Sequence, residues 1–434
     1  MTELEKIYAA YLQNHAVSTD TRTILPGSVF FALKGPSFNG NAFAEKALEA
    51  GASLAVIDEE AYKKDDRFVL VPDVLNALQD LARHHRRHLQ IPVLAVTGSN
   101  GKTTTKELIR SVISKKYKTL ATKGNLNNHI GVPLTILSIT PDIDFAVIEM
   151  GANHQKEIEL LCSIADPDFG LITNVGKAHL EGFGGFEGVK KGKGEMYAHL
   201  SQKGKLAFVN ADNAHLMSMM TVHKPSSVLT YGTSDGVYCR GELVTSEPTV
   251  CMNWKCESAF GEIQSQIIGA YNFENILSAV CIGNYFRVKP EDISEAVASY
   301  VPDNSRSQIV KKGSNTIVLD AYNANPTSME AALKNFSKMP ATKRIICIGD
   351  MAELGEESKP EHEKIIAQLK GMNFDLLILV GKNFGEFASE ITCKHFADSA
   401  QASHWLKEFH PVDSLLLIKG SRSSKMELLV DAVV

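Results

Sequence analysis

The segment Thr97–Thr103, TGSNGKT, restricts the fold of this chain more than any other feature. It follows the apolar stretch VLAV and precedes TTTKELI, so a buried strand, a glycine loop and a helix are predicted in succession. Gly98 and Gly101 permit tight turns, in which backbone N–H groups converge on phosphate oxygens beside the positive end of the helix dipole. The pattern predicts a phosphate site where Lys102 reaches the β- and γ-phosphates and Thr103 binds Mg²⁺.

The loop differs from a full Walker A sequence at one position. Walker A has a glycine five positions before Gly101, where this chain has Val96. A plain glycine turn with a helix cap is the alternative interpretation. Phosphate binding is favoured because strand, loop and helix stand in the order that it requires.

The composition indicates a soluble globular protein of several domains. At 434 residues the chain exceeds a single core and suits about two to four domains. No apolar run approaches the roughly 18 residues of a membrane span. The net charge of −5 argues against nucleic acid as the main partner, although a small anionic ligand needs only a local positive site. The N-terminus lacks the apolar core of a signal peptide, and the seven cysteines are scattered without a CxxC pair, so we expect reduced cysteines and a cytoplasmic location.

Three blocks of different pattern predict an α/β protein of three domains. Residues 1–89 alternate short apolar stretches with turns, which indicates a small N-terminal α/β domain. Residues 90–301 alternate strands with helices, which predicts a central domain with a P-loop-type, mostly parallel sheet flanked by helices. Residues 302–434 repeat this alternation and predict a smaller, Rossmann-like C-terminal sheet.

The first block ends in a predicted helix, Asp73–Leu89, that carries the basic run RHHRRH. This run is rich in histidine, but its helical context favours a solvated face over a metal site. In the central block, the more irregular stretch Val228–Ile268 predicts turns and short strands, and a helix is predicted from near Asn272.

Several polar residues of the central block are candidates for metal or anion binding. Glu149 ends the apolar strand FAVIEM, where ligands of parallel sheets gather, and His179 follows the next predicted strand. An isolated residue of either kind is often structural. Lys190, Lys191 and Lys193 form a basic patch, which is either a solvated helix face or a site for an anion or a modified lysine.

Three segments of the last block each follow a predicted strand: Asp320–Pro326 (DAYNANP), Gly349–Gly355 (GDMAELG) and Lys419–Arg422 (KGSR). The carboxyl ends of parallel strands meet at one edge of a sheet, so the three segments are expected to lie together. We therefore predict that this edge of the C-terminal sheet faces a ligand.

Several long segments together resemble the Mur ligases of peptidoglycan synthesis. They are TGSNGKTTTKE, GNLNNHIGVP, IEMGANHQKEIE, AHLEGFG, KGKGEMY, GDMAELG and KGSR, with DTRTILPGSVFFALKG near the start. The resemblance covers nearly the whole chain and implies a UDP-sugar-binding domain at 1–89, an ATP-binding ligase domain at 90–301 and a third domain at 302–434. The Asp-Asn-Pro-Arg segment by which many such enzymes select diaminopimelate is absent.

The resemblance implies roles for particular residues. ATP would contact the loop, the helix at AYNFENIL and the start of the third domain, through Gly98, Ser99, Asn100, Gly101, Lys102, Thr103, Thr104, Asn272, Asn275, Arg306 and Asp320. Two Mg²⁺ ions would be bound with the help of Thr103, Glu149, His179 and Lys193. Lys193 matches a lysine that is carbamylated in these ligases, and Lys102, Lys193 and His179 are the implied catalytic residues. Arg306 lies in Asn304–Ser307 (NSRS), where the family usually has a Gly-Arg pair, so its match is weaker.

The resemblance also implies the substrates and the reaction. Residues near the substrates would be Asn125, Asn127, Asn128, His154, Lys419, Ser421 and Arg422. A monomeric enzyme would use ATP to join D-alanyl-D-alanine to the terminal carboxylate of UDP-N-acetylmuramoyl-tripeptide, through an acyl phosphate. Whether the third residue of that peptide is diaminopimelate or lysine stays open.

Two alternatives differ in function. A folylpolyglutamate synthetase-like ligase shares the short phosphate loop, but the N-terminal DTRTILPGSVFFALKG segment argues against it. A nucleotide-binding switch without ligase activity has no need of the metal-binding series Glu149, His179 and Lys193.

Overall fold

The computed structural model describes residues 2–303 and 305–433 and contains three main sheets flanked by helices. The first sheet has four parallel strands in the order β1-β2-β5-β6, and β3 and β4 form a separate two-stranded ribbon. Its elements are α1 (Glu3–Asn14), β1 (Val17–Ser18), β2 (Val29–Phe31), β3 (Lys34–Gly35), β4 (Phe38–Asn39), α2 (Ala44–Glu49), β5 (Leu54–Ile57), β6 (Phe68–Leu70) and α3 (Val74–His88).

Helix α3 fixes the first sheet to the central one, and part of its basic run is buried. The predicted solvated face is wrong for His85 and Arg86, which are 3% and 8% exposed. His85 Nε2 lies 3.1 Å from the Tyr11 hydroxyl and 3.0 Å from the Ile139 carbonyl. Arg86 donates to Asp168 at 2.8 Å. These partners come from the central domain and from α1, so a reading of the helix alone could not identify them.

The central sheet has nine strands in the order β15-β14-β13-β12-β11-β10-β7-β9-β8. All neighbours from β8 to β13 are parallel, and β13, β14 and β15 form an antiparallel edge. The strands are β7 (Val93–Thr97), β8 (Thr119–Ala121), β9 (Phe145–Glu149), β10 (Phe169–Ile172), β11 (Leu206–Asn210), β12 (Ser227–Gly232), β13 (Cys239–Thr245), β14 (Cys251–Cys256) and β15 (Ala259–Gln264).

Helices cover both faces of the central sheet, which explains why β7 and β9 are buried along their whole length. Leu108 and Ile276, of α4 and α10, belong to one core cluster, whereas Leu161 and Met196, of α6 and α8, belong to the other. The helices are α4 (Lys102–Ile113), α5 (Gly131–Ile136), α6 (Glu157–Ala165), α7 (Leu180–Phe183), α8 (Phe186–Lys203), α9 (Ala214–His223), α10 (Asn272–Tyr285) and α11 (Pro290–Ala298).

The antiparallel edge corrects the expectation that all cysteines are reduced. Cys239 and Cys256 are joined by a disulfide, with their Cα atoms 4.2 Å apart. They stand directly opposite each other in the register of β13 and β14. The other five cysteines are free. Spacing along the chain gave no sign of this pair, because only the hairpin pairing brings the two residues together.

The third sheet has six strands in the order β16-β17-β21-β18-β19-β20. Only β16 runs antiparallel to its neighbour, β17, as in a Rossmann-like sheet with an added edge strand. The elements are β16 (Gln308–Lys312), β17 (Asn315–Asp320), α12 (Pro326–Lys338), β18 (Lys343–Gly349), α13 (Ser358–Lys370), β19 (Leu376–Val380), α14 (Lys382–Gly385), β20 (Lys394–Phe396), α15 (Ser399–Phe409) and β21 (Ser414–Lys419).

The three sheets confirm the predicted α/β fold class, and the mostly parallel order confirms its central and C-terminal parts. The carboxyl ends of β17, β21 and β18 are adjacent, because Asp320 pairs with Lys419 and Ile348 also pairs with Lys419. The exact domain boundaries at 89/90 and 301/302 stay a prediction. Within residues 2–303 and 305–433, no helix is long and apolar enough to cross a membrane.

Candidate active site

A cleft of about 1220 Å³ opens where the carboxyl ends of the central strands face those of the third sheet. Most of the predicted site residues line it, namely Ser99, Asn100, Gly101, Lys102, Thr104, Asn125, Asn127, Asn128, Glu149, His179, Asn272, Asn275, Arg306, Asp320, Lys419 and Arg422. Five others are not among the lining residues: Gly98, Thr103, His154, Lys193 and Ser421.

The glycine loop joins β7 to α4 as predicted, and its backbone needs both glycines. Gly98 has φ +144° and Gly101, which caps α4, has φ +80°. Lys102 turns back over the loop, and its Nζ donates to the carbonyl of Gly98 at 2.7 Å and of Ser99 at 3.3 Å. Burial, together with the Arg306 charge, lowers the pKa of the Lys102 amine to about 8, although Glu149 opposes the shift.

Gly101 offers a sharp test of the loop. A Cβ at this position would lie 2.7 Å from Asn275 Oδ1, which already accepts a hydrogen bond from Thr105 at 3.0 Å. Gly101→Ala therefore adds a collision to the strain of a left-handed backbone, and we expect it to cost about 2 kcal/mol or more in the free energy of unfolding. Urea unfolding measures this cost, and nucleotide titration should register weaker ADP binding.

The matched control is Gly204→Ala. Gly204 also has a positive φ, +65°, but its added Cβ would have open space around it. Backbone strain alone should cost about 1 kcal/mol at this site and leave nucleotide binding unchanged. Equal stability losses in the two variants would contradict the proposed collision with Asn275.

Glu149 is held at the end of β9 by groups from two segments, α4 and the loop after β8. Its Oε2 accepts a hydrogen bond from the Thr103 hydroxyl at 2.9 Å, and its Oε1 accepts one from Asn127 at 2.8 Å. The Lys106 ammonium lies 3.8 Å from Oε2. A hydroxyl and a carboxylate this close are the hard oxygen donors that Mg²⁺ prefers, so these residues fit a magnesium ion.

His179 contacts a residue of the third domain and not Glu149. His179 and Glu353 both have a left-handed backbone conformation, with φ +53° and φ +61°. The Nδ1 atom of His179 forms an ion pair with the Glu353 carboxylate. The hydrogen bond with His179 lowers the pKa of the Glu353 carboxyl below its ordinary value. No group of three or more histidine, cysteine or acidic residues in the described part of the chain is arranged to hold a metal.

Lys193 is buried, so the solvated-face interpretation of the basic patch is wrong for this residue, and its role in anion binding or modification stays a prediction. Its side chain is 1% exposed, its Nζ lies 5.2 Å from the Phe183 ring centroid, and it donates to the Ala152 carbonyl at 3.4 Å. Burial, assisted by the Lys102 charge, lowers the pKa of the Lys193 amine well below its ordinary value. Lys191, in contrast, is exposed.

The start of α10 and the loop before β16 form a polar corner of the cleft. Asn275 donates to Asn272 at 2.8 Å, and the Tyr271 and Ser307 hydroxyls lie 2.8 Å apart. The Arg306 guanidinium stacks on Tyr322 at 3.8 Å. Asn304, the first residue of the predicted NSRS segment, lies outside the described residues.

The edge of the third sheet brings its predicted residues together. The Lys419 ammonium pairs with Asp320, and its side chain is 1% exposed. The Arg422 side chain is exposed, and its guanidinium carbon lies 5.8 Å from the centroid of the Tyr322 ring. Ser421 is buried and donates its backbone N–H to Asp350. His154 is exposed and does not line the cleft, but its Nδ1 lies 3.6 Å from Glu157, which does.

Contacts between the central domain and the third sheet were not predicted. Asn325 donates to the Asn100 side chain of the glycine loop at 2.7 Å. Lys177 donates to Glu361 at 2.7 Å through its ammonium and to Thr327 at 3.2 Å through its backbone N–H. An available signal was Asn325-Pro326, which is typical of a helix N-cap and first turn, as found at α12.

The fold and the site define an α/β protein of the phosphate-loop class, with a cleft between two mostly parallel sheets. Three family models match the chain in order: the Mur ligase family catalytic domain over residues 13–86, the Mur ligase middle domain over 96–283, and the Mur ligase glutamate ligase domain over 305–422. With full-length sequence similarity as well, the chain belongs to the Mur ligase family.

The similarity to known proteins extends over nearly the whole chain. The UDP-N-acetylmuramoyl-tripeptide–D-alanyl-D-alanine ligase of Bacillus subtilis is 34% identical, over 97% of this chain and 93% of that protein. A crystal structure of MurF from Acinetobacter baumannii superposes with a TM-score of 0.87 at 29% identity, covering 99% of this chain and 97% of the other. MurF from Thermotoga maritima in complex with ADP gives 0.84 at 27% identity, with 96% of each chain covered.

Proposed function

We propose that this protein is an ADP-forming amide ligase that joins D-alanyl-D-alanine to the terminal carboxylate of UDP-N-acetylmuramoyl-tripeptide in peptidoglycan precursor synthesis. The substrates named for the Bacillus subtilis relative support this choice. The observation that supports the proposal most is the hydrogen bond from the Thr103 hydroxyl to Glu149, because Glu149 and Lys102 both line the cleft and a cation then lies near oxygen donors of the kind that Mg²⁺ prefers.

The reaction follows from the weak electrophilicity of a carboxylate. An amine cannot displace oxide from it at neutral pH, so one oxygen must first become a leaving group. The tripeptide carboxylate attacks the γ-phosphorus of ATP, a P–O bond to ADP breaks, and an acyl phosphate forms. The amine of D-alanyl-D-alanine then attacks the carbonyl carbon, loses a proton, and phosphate leaves from the tetrahedral intermediate.

The chain contributes charge and position rather than a nucleophile. Lys102 turns from its own loop carbonyls to the β- and γ-phosphates and offsets the repulsion between two anionic substrates. Thr103, Glu149, His179 and a modified Lys193 would together hold up to two Mg²⁺ ions. When bound, Mg²⁺ supplies further charge neutralisation and lines up the phosphates.

Lys193 is proposed to carry a carbamate. Burial lowers the pKa of this amine and so favours its neutral form, which is the form that attacks CO₂. The new N–C bond leaves a carboxylate and releases one proton. The modification therefore replaces a buried amine, which would repel Mg²⁺ whenever it is protonated, with an anion that can bind Mg²⁺.

The three parts of the chain divide the substrates between them. The nucleotide lies between Asn272 and Asn275 on the central side and Arg306 and Asp320 on the other. Residues 1–89 bind the UDP-sugar, and the peptide extends along Asn125, Asn127 and Asn128 toward His154. The edge with Lys419, Ser421 and Arg422 receives the dipeptide. The enzyme acts as a monomer in the cytoplasm, where ATP is available.

Direct links between the two halves of the cleft explain how it excludes water. Lys177 with Glu361, and Asn100 with Asn325, join the third sheet to the phosphate side. Excluding water protects an acyl phosphate from hydrolysis before the amine arrives. An unchanged domain orientation on adding all the substrates to an open form would contradict this role.

Nucleotide affinity should depend on pH through Lys102. The amine has a pKa of about 8 before binding, and bound phosphate favours its charged form, so the pKa rises on binding. The full affinity is therefore present below about pH 8 and is lost as the pH rises through that value, by up to about tenfold per pH unit. Calorimetric titration with ADP in Mg²⁺-free buffer at about pH 7 and about pH 9 measures this loss. A Lys102→Met variant should give a flat profile, and stronger binding at the higher pH would contradict the assignment.

Phosphate release tests the proposed reaction. Release from ATP should require both UDP-N-acetylmuramoyl-tripeptide and D-alanyl-D-alanine. Equal release with neither substrate would refute the ligase. Release that needs a folate and glutamate instead would favour the folylpolyglutamate synthetase-like alternative, and nucleotide binding without release would favour the switch.

A further inference from the structure

Lys106 is a buried cation that the proposed reaction does not use. It lies on α4, one turn after Lys102, and its side chain is 1% exposed. Its Nζ donates to the Thr122 carbonyl at 2.5 Å and lies 2.9 Å from Glu107 Oε1. A lysine is seldom buried without an ionic partner, so its surroundings call for an explanation.

The contacts of Lys106 lead to Glu149 by two routes. The first is direct, because Nζ lies 3.8 Å from Glu149 Oε2. The second passes through Thr122, whose carbonyl accepts from Lys106 and whose hydroxyl accepts from the Glu149 backbone N–H at 2.9 Å. Lys106 is thus connected to both the carboxylate and the backbone of the same residue.

Lys106 approaches Glu149 from inside the protein. Glu149 lines the cleft, whereas Lys106 does not. The other two side chains on the carboxylate, Thr103 and Asn127, are neutral donors. A buried carboxylate with only neutral partners is costly, and a cation behind it offsets that cost while leaving the cleft side open.

We propose that Lys106 is a positioning residue that holds the Glu149 carboxylate aimed into the cleft, so that Glu149 binds Mg²⁺ together with the nucleotide. This inference rests on the magnesium role assigned to Glu149 under the proposed function. It implies that Lys106 affects nucleotide binding only through the metal. A residue that merely supports α4 would affect binding with and without Mg²⁺ alike.

Calorimetric titration of ADP into the full-length protein, with and without Mg²⁺, separates these two roles. We expect Lys106→Met to weaken binding of ADP with Mg²⁺ by about tenfold or more, in the range for partners that orient a metal ligand. Binding without Mg²⁺ should change less than about twofold. Equal weakening under both conditions, or none under either, would overturn the proposal.

Two further variants complete the test. Glu107→Gln removes the other carboxylate beside Lys106 but leaves the route to Glu149 intact, so it should bind ADP like the wild type under both conditions. Lys106→Gln retains a donor for the Thr122 carbonyl without the charge, and it should reproduce the Mg²⁺-specific loss if Lys106→Met does not fold. Wild-type protein whose ADP affinity ignores Mg²⁺ would instead overturn the metal site itself, and the role of Lys106 with it.

Discussion

Replacing Lys193 by alanine should lower kcat by about 10³-fold or more, because the variant loses the anion that we assign to metal and phosphate binding. The wild-type amine is buried beside Phe183 and faces the Lys102 charge. Truncation also leaves a space at the end of the side chain. Steady-state phosphate release with all three substrates measures the loss.

Short carboxylates distinguish a missing carbamate from a damaged core. Acetate or formate can enter the vacated space and should restore part of the activity of Lys193→Ala. The control is Lys191→Ala, which removes an exposed lysine of the same helix and should retain wild-type activity and show no response to acetate. Full activity of Lys193→Ala without any added carboxylate would remove the carbamate proposal.

Replacing Lys102 by methionine should lower kcat/KM by about 10²–10³-fold, since the phosphate loop loses the cation that meets the transferred phosphoryl group. Methionine keeps the side-chain length, so the loop carbonyls of Gly98 and Ser99 lose only a hydrogen-bond donor. Initial rates and ADP titration measure these effects. The rate should fall, and the affinity for ADP should weaken.

The control for Lys102→Met is Lys116→Met, just beyond the far end of the same helix. Lys116 is exposed and donates to the Phe286 carbonyl, far along the chain from the loop. Its replacement should leave kcat/KM within about twofold of the wild type, as for most surface substitutions. A Lys102→Met enzyme with rates in the same range would contradict the role given to the loop.

Local patterns predicted the strand, glycine loop and helix on one side of the cleft well. The strand Val93–Thr97 was found as expected, because an apolar run followed by glycines is a short-range signal. The same holds for the edge of the third sheet, since parallel strands bring Asp320 and Lys419 into register. Glu149 was predicted as a metal ligand from its place at a strand end; it accepts a hydrogen bond from Thr103, and its metal role stays a prediction.

Contacts between distant parts of the chain could not be predicted from the sequence, because they depend on how separate sheets pack against each other. His179 pairs with Glu353 across the cleft, and no periodicity links two residues so far apart. Burial of His85 against the central domain was missed for the same reason. The pairing of Cys239 with Cys256 was missed because it depends on the register of two strands within one sheet. Lys106 was missed although it lies close to the glycine loop in the sequence. Its proposed role depends on its distance from Glu149, which only the structure shows.

The most direct test of the central claim follows the oxygen atoms of the carboxylate. UDP-N-acetylmuramoyl-tripeptide labelled with oxygen-18 in its terminal carboxylate would be converted in the presence of ATP and D-alanyl-D-alanine, and the released phosphate analysed by mass spectrometry. Carboxylate activation by the γ-phosphate predicts ADP and phosphate carrying one labelled oxygen for each peptide bond formed. Unlabelled phosphate, or AMP with pyrophosphate, would contradict the account.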